Sequence, residues 1–72
     1  MRKTPHPLLK AIGKHIRAAR KAKGWSQEHL AAEAGIDRSY MSGIERGVRN
    51  ISALKLATIA QVLDVPVSSL LR

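Results

Sequence analysis

The chain has 72 residues and no cysteine, so it allows one small domain that neither disulfides nor thiolate-bound zinc can stabilise. Thirteen Lys and Arg against five Asp and Glu give a formal net charge of +8, which indicates a polyanionic partner. The hydrophobic fraction of 44% excludes a disordered basic tail. Nucleic acid is the leading partner class, although ribosomal and membrane-surface proteins can be equally basic.

Residues 1–7 are predicted to form a flexible basic arm, because Pro5 and Pro7 disfavour a helix before about Leu8. The chain starts with the basic character of a secretory signal, but Lys10 and Lys14 interrupt the apolar run that a signal needs. No run of the sequence approaches transmembrane length. We therefore expect a cytoplasmic protein that does not interact with membranes.

Residues 8–72 are predicted to form one all-α domain of five helices. Helix 1 covers residues 8–23, with Leu9, Ile12, Ile16 and Ala19 at helical spacing, and ends at Gly24. The next three helices are expected at about residues 26–34, 37–46 and 52–63. Pro66 suits the first turn of a short last helix.

The starts of helices 2, 3 and 4 share one pattern. In each, an apolar residue precedes an N-capping side chain and another apolar residue follows at the fourth helical position, which is the pattern of a hydrophobic staple. The three sets are Trp25, Ser26 and Leu30; Ile36, Asp37 and Met41; and Ile51, Ser52 and Leu56. Repetition of this pattern supports the predicted helix boundaries.

Only about three residues, 34–36, separate helices 2 and 3, and such a short link favours the steep crossing of a helix-turn-helix over residues 26–46. We expect small or apolar residues where the two helices meet, namely Ala31, Gly35, Met41 and Ile44. A turn of this kind also occurs in ordinary helical bundles. The net charge and the outer face of helix 3 make the DNA-binding interpretation the stronger one.

Helix 3, at about residues 37–46, is predicted to present a narrow polar stripe. If Met41 and Ile44 face the core, the outward residues are Arg38, Ser39, Ser42, Gly43 and Arg46. A major groove about 12 Å wide admits a helix whose outward side chains are small or able to bond base edges. Ser and Gly permit close approach, and Arg38 can pair with guanine O6 and N7.

The segment SQEHLAAEAGIDRSYMSGIERG resembles the helix-turn-helix of the Cro/repressor-type, lambda-repressor-like regulators of bacteria and phages. The run DRSYMSGIERGVRNIS is similar to the controller proteins of restriction-modification systems. The resemblance covers about residues 9–71. It implies a compact five-helix domain, a homodimer paired largely through its C-terminal helical region, and a pseudo-palindromic DNA operator.

The resemblance also assigns roles to individual residues. It implies contacts to bases or adjacent phosphates from Arg38, Ser39, Tyr40, Ser42 and Gly43, although Gly43 offers no side chain and the Tyr40 ring could instead cap the core. We expect phosphate contacts from Gln27, Arg46, Arg49, Asn50 and Ser52. A structural salt bridge is implied between Arg20 and Glu45.

Four apolar residues near the C-terminus, Leu63, Val67, Leu70 and Leu71, are candidates for the dimer interface, and they could instead close the core of one chain. RNA polymerase is a candidate further partner. The three histidines, His6, His15 and His29, lack partner carboxylates at ligand spacing, so we expect no metal site. We find no catalytic constellation and no cofactor or small-molecule motif, and therefore predict that the protein is not an enzyme.

The sequence thus predicts a sequence-specific, dimeric DNA-binding transcription regulator that inserts helix 3 into the major groove, with a restriction-modification controller protein as its narrower form. One alternative is an antitoxin-type protein-interaction module whose DNA binding is secondary. Another is a cationic binder without sequence preference, whose binding would be abolished by salt.

Overall fold

The computed structural model describes residues 6–72, and five α-helices occupy them. They are α1 (Pro7–Ala22), α2 (Gln27–Ala34), α3 (Arg38–Arg46), α4 (Ala53–Leu63) and α5 (Val67–Leu71). The all-α, five-helix prediction is confirmed. Residues 1–5 of the predicted arm lie outside the described residues. Within those residues, no helix has both the length and the apolar character needed to span a membrane.

Polar side chains begin α2, α3 and α4 at the predicted positions. The Oγ atoms of Ser26 and Ser52 accept backbone N–H groups at 3.0 and 3.1 Å, and Asp37 caps α3 in the same way. Each cap satisfies a donor that the helix itself leaves unpaired.

The first and last helices begin slightly differently from the prediction. α1 starts at Pro7 rather than Leu8. The first position of a helix makes no intrahelical bond through its N–H, so a proline, which has no N–H, fits there. His6 precedes it as the N-cap, and its Nδ1 accepts the Leu8 N–H at 3.0 Å. At the other end, Pro66 is the N-cap of α5 and not a member of its first turn.

One apolar core joins the five helices. α1 packs on α3 and α5, while α2 packs on α3 and α4. The largest fully buried side chains are those of Ile16, Leu30, Met41, Ile44, Ile59 and Leu70. The apolar residues of the staple pattern lie in or against this core, and four of them are buried in it, namely Leu30, Ile36, Met41 and Leu56.

Gly13 lies where α1 packs against the backbone of α3. A Cβ atom at this position would lie 2.5 Å from the carbonyl oxygen of Glu45 and would also overlap that of Ile44. Both atoms belong to the α3 backbone, which cannot move aside as a side chain can. The absence of a side chain at Gly13 therefore sets the distance between α1 and α3.

The tight turn between α2 and α3 depends on Gly35 for a different reason from the one predicted. Ala31, Met41 and Ile44 are buried between the helices, but Gly35 is exposed, and a Cβ there would have nothing within 4 Å. The prediction that it provides close helix packing is wrong. Its φ of 68° is left-handed, a conformation that glycine adopts without steric cost.

The four candidate dimer residues divide into two pairs. Leu63 and Leu70 are 2% and 1% exposed and belong to the core of the single chain, so their assignment to an interface is wrong. Val67 and Leu71 remain 36% and 42% exposed. The short helix α5 turns one of its apolar side chains toward the core and the others toward solvent. The apolar periodicity of the sequence alone does not show which of them is buried.

Candidate nucleic-acid interface

The outward face of α3 carries both charge and small polar groups. Arg38, Ser39 and Arg46 are exposed, and Ser42 is half-buried. Tyr40 is half-buried as well, and its ring packs against the core. The face therefore presents cations near both ends of a helix of only nine residues.

Asp37 organises the N-terminal end of this helix. One oxygen of its carboxylate, Oδ2, accepts the backbone N–H groups of Ser39 and Tyr40 at 3.0 and 3.3 Å, and the Ser39 hydroxyl also donates to it. The Ser39 hydroxyl, followed by the two backbone N–H groups, lowers the pKa of Asp37. The Ser39 hydroxyl hydrogen is therefore engaged within the protein, and only its lone pairs are free to accept a bond from a base.

After α3 the chain folds back along the helix in a segment of residues 47–52, which we call the return segment. Gly47 adopts a left-handed φ of 75°, and the Val48 N–H donates to the Gly43 carbonyl at 3.0 Å. The Tyr40 hydroxyl donates to the Asn50 carbonyl at 2.8 Å. These two bonds hold the return segment against α3, so the surface is composed of a helix and a loop.

Gly43 is buried, which corrects the prediction that it faces outward for close approach to bases. The side chain of Arg49 covers it, with the Arg49 Cδ and Nε atoms 3.4 Å from an ideal Cβ at Gly43. The Arg49 Cζ lies 5.7 Å from the centre of the Tyr40 ring, and the Lys55 Nζ lies 5.9 Å from it. Cations at such distances from an aromatic face are attracted to it.

Glu45 connects three helices beneath this surface. Its carboxylate accepts two bonds from Arg20 on α1, at 2.7 Å from Nε and 3.0 Å from Nη2. Gln27 on α2 donates from Nε2 to the same carboxylate at 3.0 Å, and Arg20 Nη1 also donates to the Trp25 carbonyl at 2.9 Å. The hydrogen bond to Glu45 raises the pKa of Arg20. An acid that would repel phosphate is thus neutralised in place.

A groove of about 570 Å³ opens above the Arg20–Glu45 pair, lined by Arg17, Ser26, Gln27, Ser42 and Arg46. A second groove of about 460 Å³ shares Arg17 and Arg46 and adds Lys10 and Lys14. Sequence reasoning did not single out Arg17. Its spacing of three residues from Arg20 was the available signal, because such residues share one helical face.

The predicted phosphate-binding residues of the return segment, Arg49, Asn50 and Ser52, are all exposed. Ser52 uses a lone pair of Oγ to accept the Lys55 N–H, which leaves its hydroxyl hydrogen free to donate. Lys55 adds a further cation beside the return segment, because its Nζ lies near the Tyr40 ring. Residues 6–72 contain no group of three side chains that could hold a metal ion.

The helix α3 is short, is capped at its start, packs against α2 and is flanked by cations, as in a helix-turn-helix domain. The sequence pattern of the helix-turn-helix family matches residues 16–70, and the chain belongs to that family. It is 46% identical to the transcriptional regulator SinR of Bacillus subtilis over 61 residues, which are 83% of this chain and 55% of SinR. The chain spans about half the length of the first curated relatives that it matches.

Two solved structures are similar along most of this chain. The restriction-modification controller protein C.AhdI of Aeromonas hydrophila has 45% identity and a TM-score of 0.83, over 86% of this chain and 94% of that one. SinR, the master regulator for biofilm formation, solved in complex with DNA, has 45% identity and a TM-score of 0.80, over 85% and 98%. The predicted resemblance to controller proteins is confirmed.

Proposed function

We propose that the chain is a sequence-specific, DNA-binding transcription regulator that inserts α3 into the major groove. The observation that carries the proposal is the outward face of α3, a narrow polar stripe held by a cap at one end and a neutralised acid near the other. Membership of the helix-turn-helix family and likeness to SinR, solved in complex with DNA, support it. The narrower form, a restriction-modification controller, is supported by the likeness to C.AhdI.

In this proposal some residues contact base edges and others contact phosphates. Arg38 reads a base pair from the first turn of α3, where a helix in a major groove makes its base contacts. Ser39 and Ser42 complete the reading face. Phosphate contacts come from Gln27, Arg46, Arg49, Asn50 and Ser52, and they fix the register of the helix without reading sequence. Arg17 joins them because it lines the same groove as Gln27.

The proposed active form is a homodimer on two inverted half-sites, spaced about 34–36 Å apart so that both α3 helices enter one face of the DNA. The exposed pair Val67 and Leu71 supplies apolar surface for the contact. A dimer on its operator either excludes RNA polymerase or recruits it. The proposed place of action is the cytoplasm.

Selection of bound duplexes from a random-sequence pool, at about 150 mM salt where nonspecific affinity is weak, tests the proposal. Recovery of two inverted half-sites is the expected result, and transcription in vitro from such a template would then show the sign of regulation. Recovery of no common sequence would contradict the proposal and favour a protein-interaction module.

A further inference from the structure

Gly43 occupies the interior of the reading helix, where glycine costs stability relative to alanine. Its backbone does not require glycine, because its φ lies outside the left-handed region and the helix continues through it. It is also buried, so it is not an open gap on the surface. The reason for glycine at this position must therefore lie in what covers it.

The three atoms that would lie nearest to a Cβ at Gly43 all belong to one side chain, that of Arg49. A Cβ atom there would overlap the Arg49 Cγ and lie 3.4 Å from the Arg49 Cδ and Nε. Gly13 contrasts with it, because a Cβ at Gly13 would meet the backbone of α3. An alanine at position 43 would displace a flexible arginine, whereas an alanine at position 13 would push two helices apart.

The backbone on both sides of Arg49 is anchored to α3. Val48 donates to the Gly43 carbonyl at 3.0 Å, and the Asn50 carbonyl accepts the Tyr40 hydroxyl at 2.8 Å. With its neighbours held, Arg49 adjusts only through its side chain. That side chain lies along α3 at Gly43, with its guanidinium carbon 5.7 Å from the centre of the Tyr40 ring.

We propose that Gly43 is a positioning residue whose role is to seat Arg49. The missing side chain lets the aliphatic part of Arg49 lie flat on α3, and the Tyr40 ring receives its guanidinium, so that a loop residue contributes a fixed cation to the reading surface. Gly43 acts on DNA through Arg49 and does not itself meet the bases. This inference rests on the proposed function, since it specifies how one cation of that DNA surface is held.

The test is a double-mutant cycle of wild type, Gly43→Ala, Arg49→Ala and the double variant, measured on a duplex recovered by the selection described above. Gly43→Ala should weaken binding about tenfold in the wild-type background, a loss equal to about 1.4 kcal/mol. In the Arg49→Ala background the same change should cost less than about twofold, because coupled residues are not additive. Arg38→Ala is the matched control, and it should cost the same factor in both backgrounds.

The unfolding temperature of Gly43→Ala serves as the control for folding. It should be unchanged or raised, because alanine is favoured over glycine inside a helix. A readout without DNA is the NMR resonance of the Arg49 Nε–H, which should move in Gly43→Ala as the guanidinium leaves the Tyr40 ring. Equal losses from Gly43→Ala in both backgrounds, an unchanged affinity, or an unmoved resonance would each overturn the inference.

The two proposals fail in different ways. If the wild-type protein binds the recovered duplex no better than a scrambled duplex of the same composition, the proposed function fails. If the wild-type protein discriminates between the two duplexes but the cycle is additive, only the seating of Arg49 by Gly43 fails.

Discussion

Glu45 is an acid on the side of the molecule that we propose meets DNA, and its contribution to stability depends on the hydrogen-bond donors around it. Arg20 and Gln27 donate three hydrogen bonds to its carboxylate, and it is 8% exposed. Its removal would leave the Arg20 guanidinium without its charged partner, and a largely buried charge without a partner is costly. The residue is therefore important first for stability and only indirectly for binding.

We predict that Glu45→Ala lowers the free energy of unfolding by about 3 kcal/mol, the lower end of the range for broken buried pairs, because the groove above Arg20 admits water. Urea unfolding followed by circular dichroism measures it. Glu33→Ala is the control, since Glu33 is exposed and should change stability by less than about 0.5 kcal/mol. Equal losses in both variants would show that the pair contributes nothing special.

Arg38 is predicted to read sequence. Arg38→Ala should cost about 1–3 kcal/mol on the recovered operator and should relax discrimination at one base pair in each half-site. Binding to operators with every substitution at each half-site position measures the effect. A uniform loss on all duplexes, with a flatter salt dependence, would instead assign Arg38 to the phosphate backbone.

At the scale of elements, the contact of α1 with α3 depends on Gly13. Gly13→Ala should destabilise the protein by about 1–3 kcal/mol, the usual cost of overpacking, since its methyl group would meet the α3 backbone. Thermal unfolding of Gly13→Ala beside Gly43→Ala checks this, because both changes add one methyl to a helix interior. Equal effects of the two changes would contradict the assignment of Gly13 to a backbone contact.

The cap of α3 should make stability depend on pH. Hydrogen bonds in the folded state lower the pKa of Asp37, so the ionised cap contributes stability above the ordinary aspartate pKa of about 3.9. That contribution is lost as the pH falls through the lower folded value. Wild type should lose more stability than Asp37→Asn between about pH 5 and about pH 2, because asparagine caps without titrating. Parallel urea unfolding curves for the two proteins at each pH would contradict this.

Helix boundaries and caps could be predicted because their signals are local. Ser26, Asp37 and Ser52 each act within a few residues of their own position, and the sequence displays that pattern. Gly35 and Gly43 were misinterpreted because their roles depend on a backbone angle and on a loop that folds back. The bond from the Tyr40 hydroxyl to the return segment was hidden for the same reason, since ten residues separate its partners.

At the scale of the whole molecule, two neighbouring leucines at the C-terminal end of α5 have different environments. Leu70 is in the core, while its neighbour Leu71 is 42% exposed. We predict that Leu71→Lys converts the proposed dimer to a monomer with little loss of stability, because surface changes usually cost less than about 0.5 kcal/mol. Sedimentation equilibrium over a range of concentrations measures the mass.

The matched control is Leu54→Lys, since Leu54 is 78% exposed on α4 and receives the same change. It should leave the oligomeric state unaltered. If Leu54→Lys produces monomers and Leu71→Lys does not, the interface lies on α4 and the assignment to α5 is wrong.

The nine residues of α3 also limit how much information one chain can read. At about 1.5 Å per residue the helix is about 13.5 Å long, which matches about four base pairs at about 3.4 Å each. Four base-pair positions, each with four possible bases, hold about eight bits of information. One chain would therefore find a matching DNA site about once in every 256 positions of random sequence. When two chains bind one duplex, the average spacing between matching sites in random sequence becomes the square of that for one chain. A genome offers about a million or more competing positions, so a single chain would match far too many of them. The short α3 therefore favours the proposed dimer, in which two chains read two half-sites.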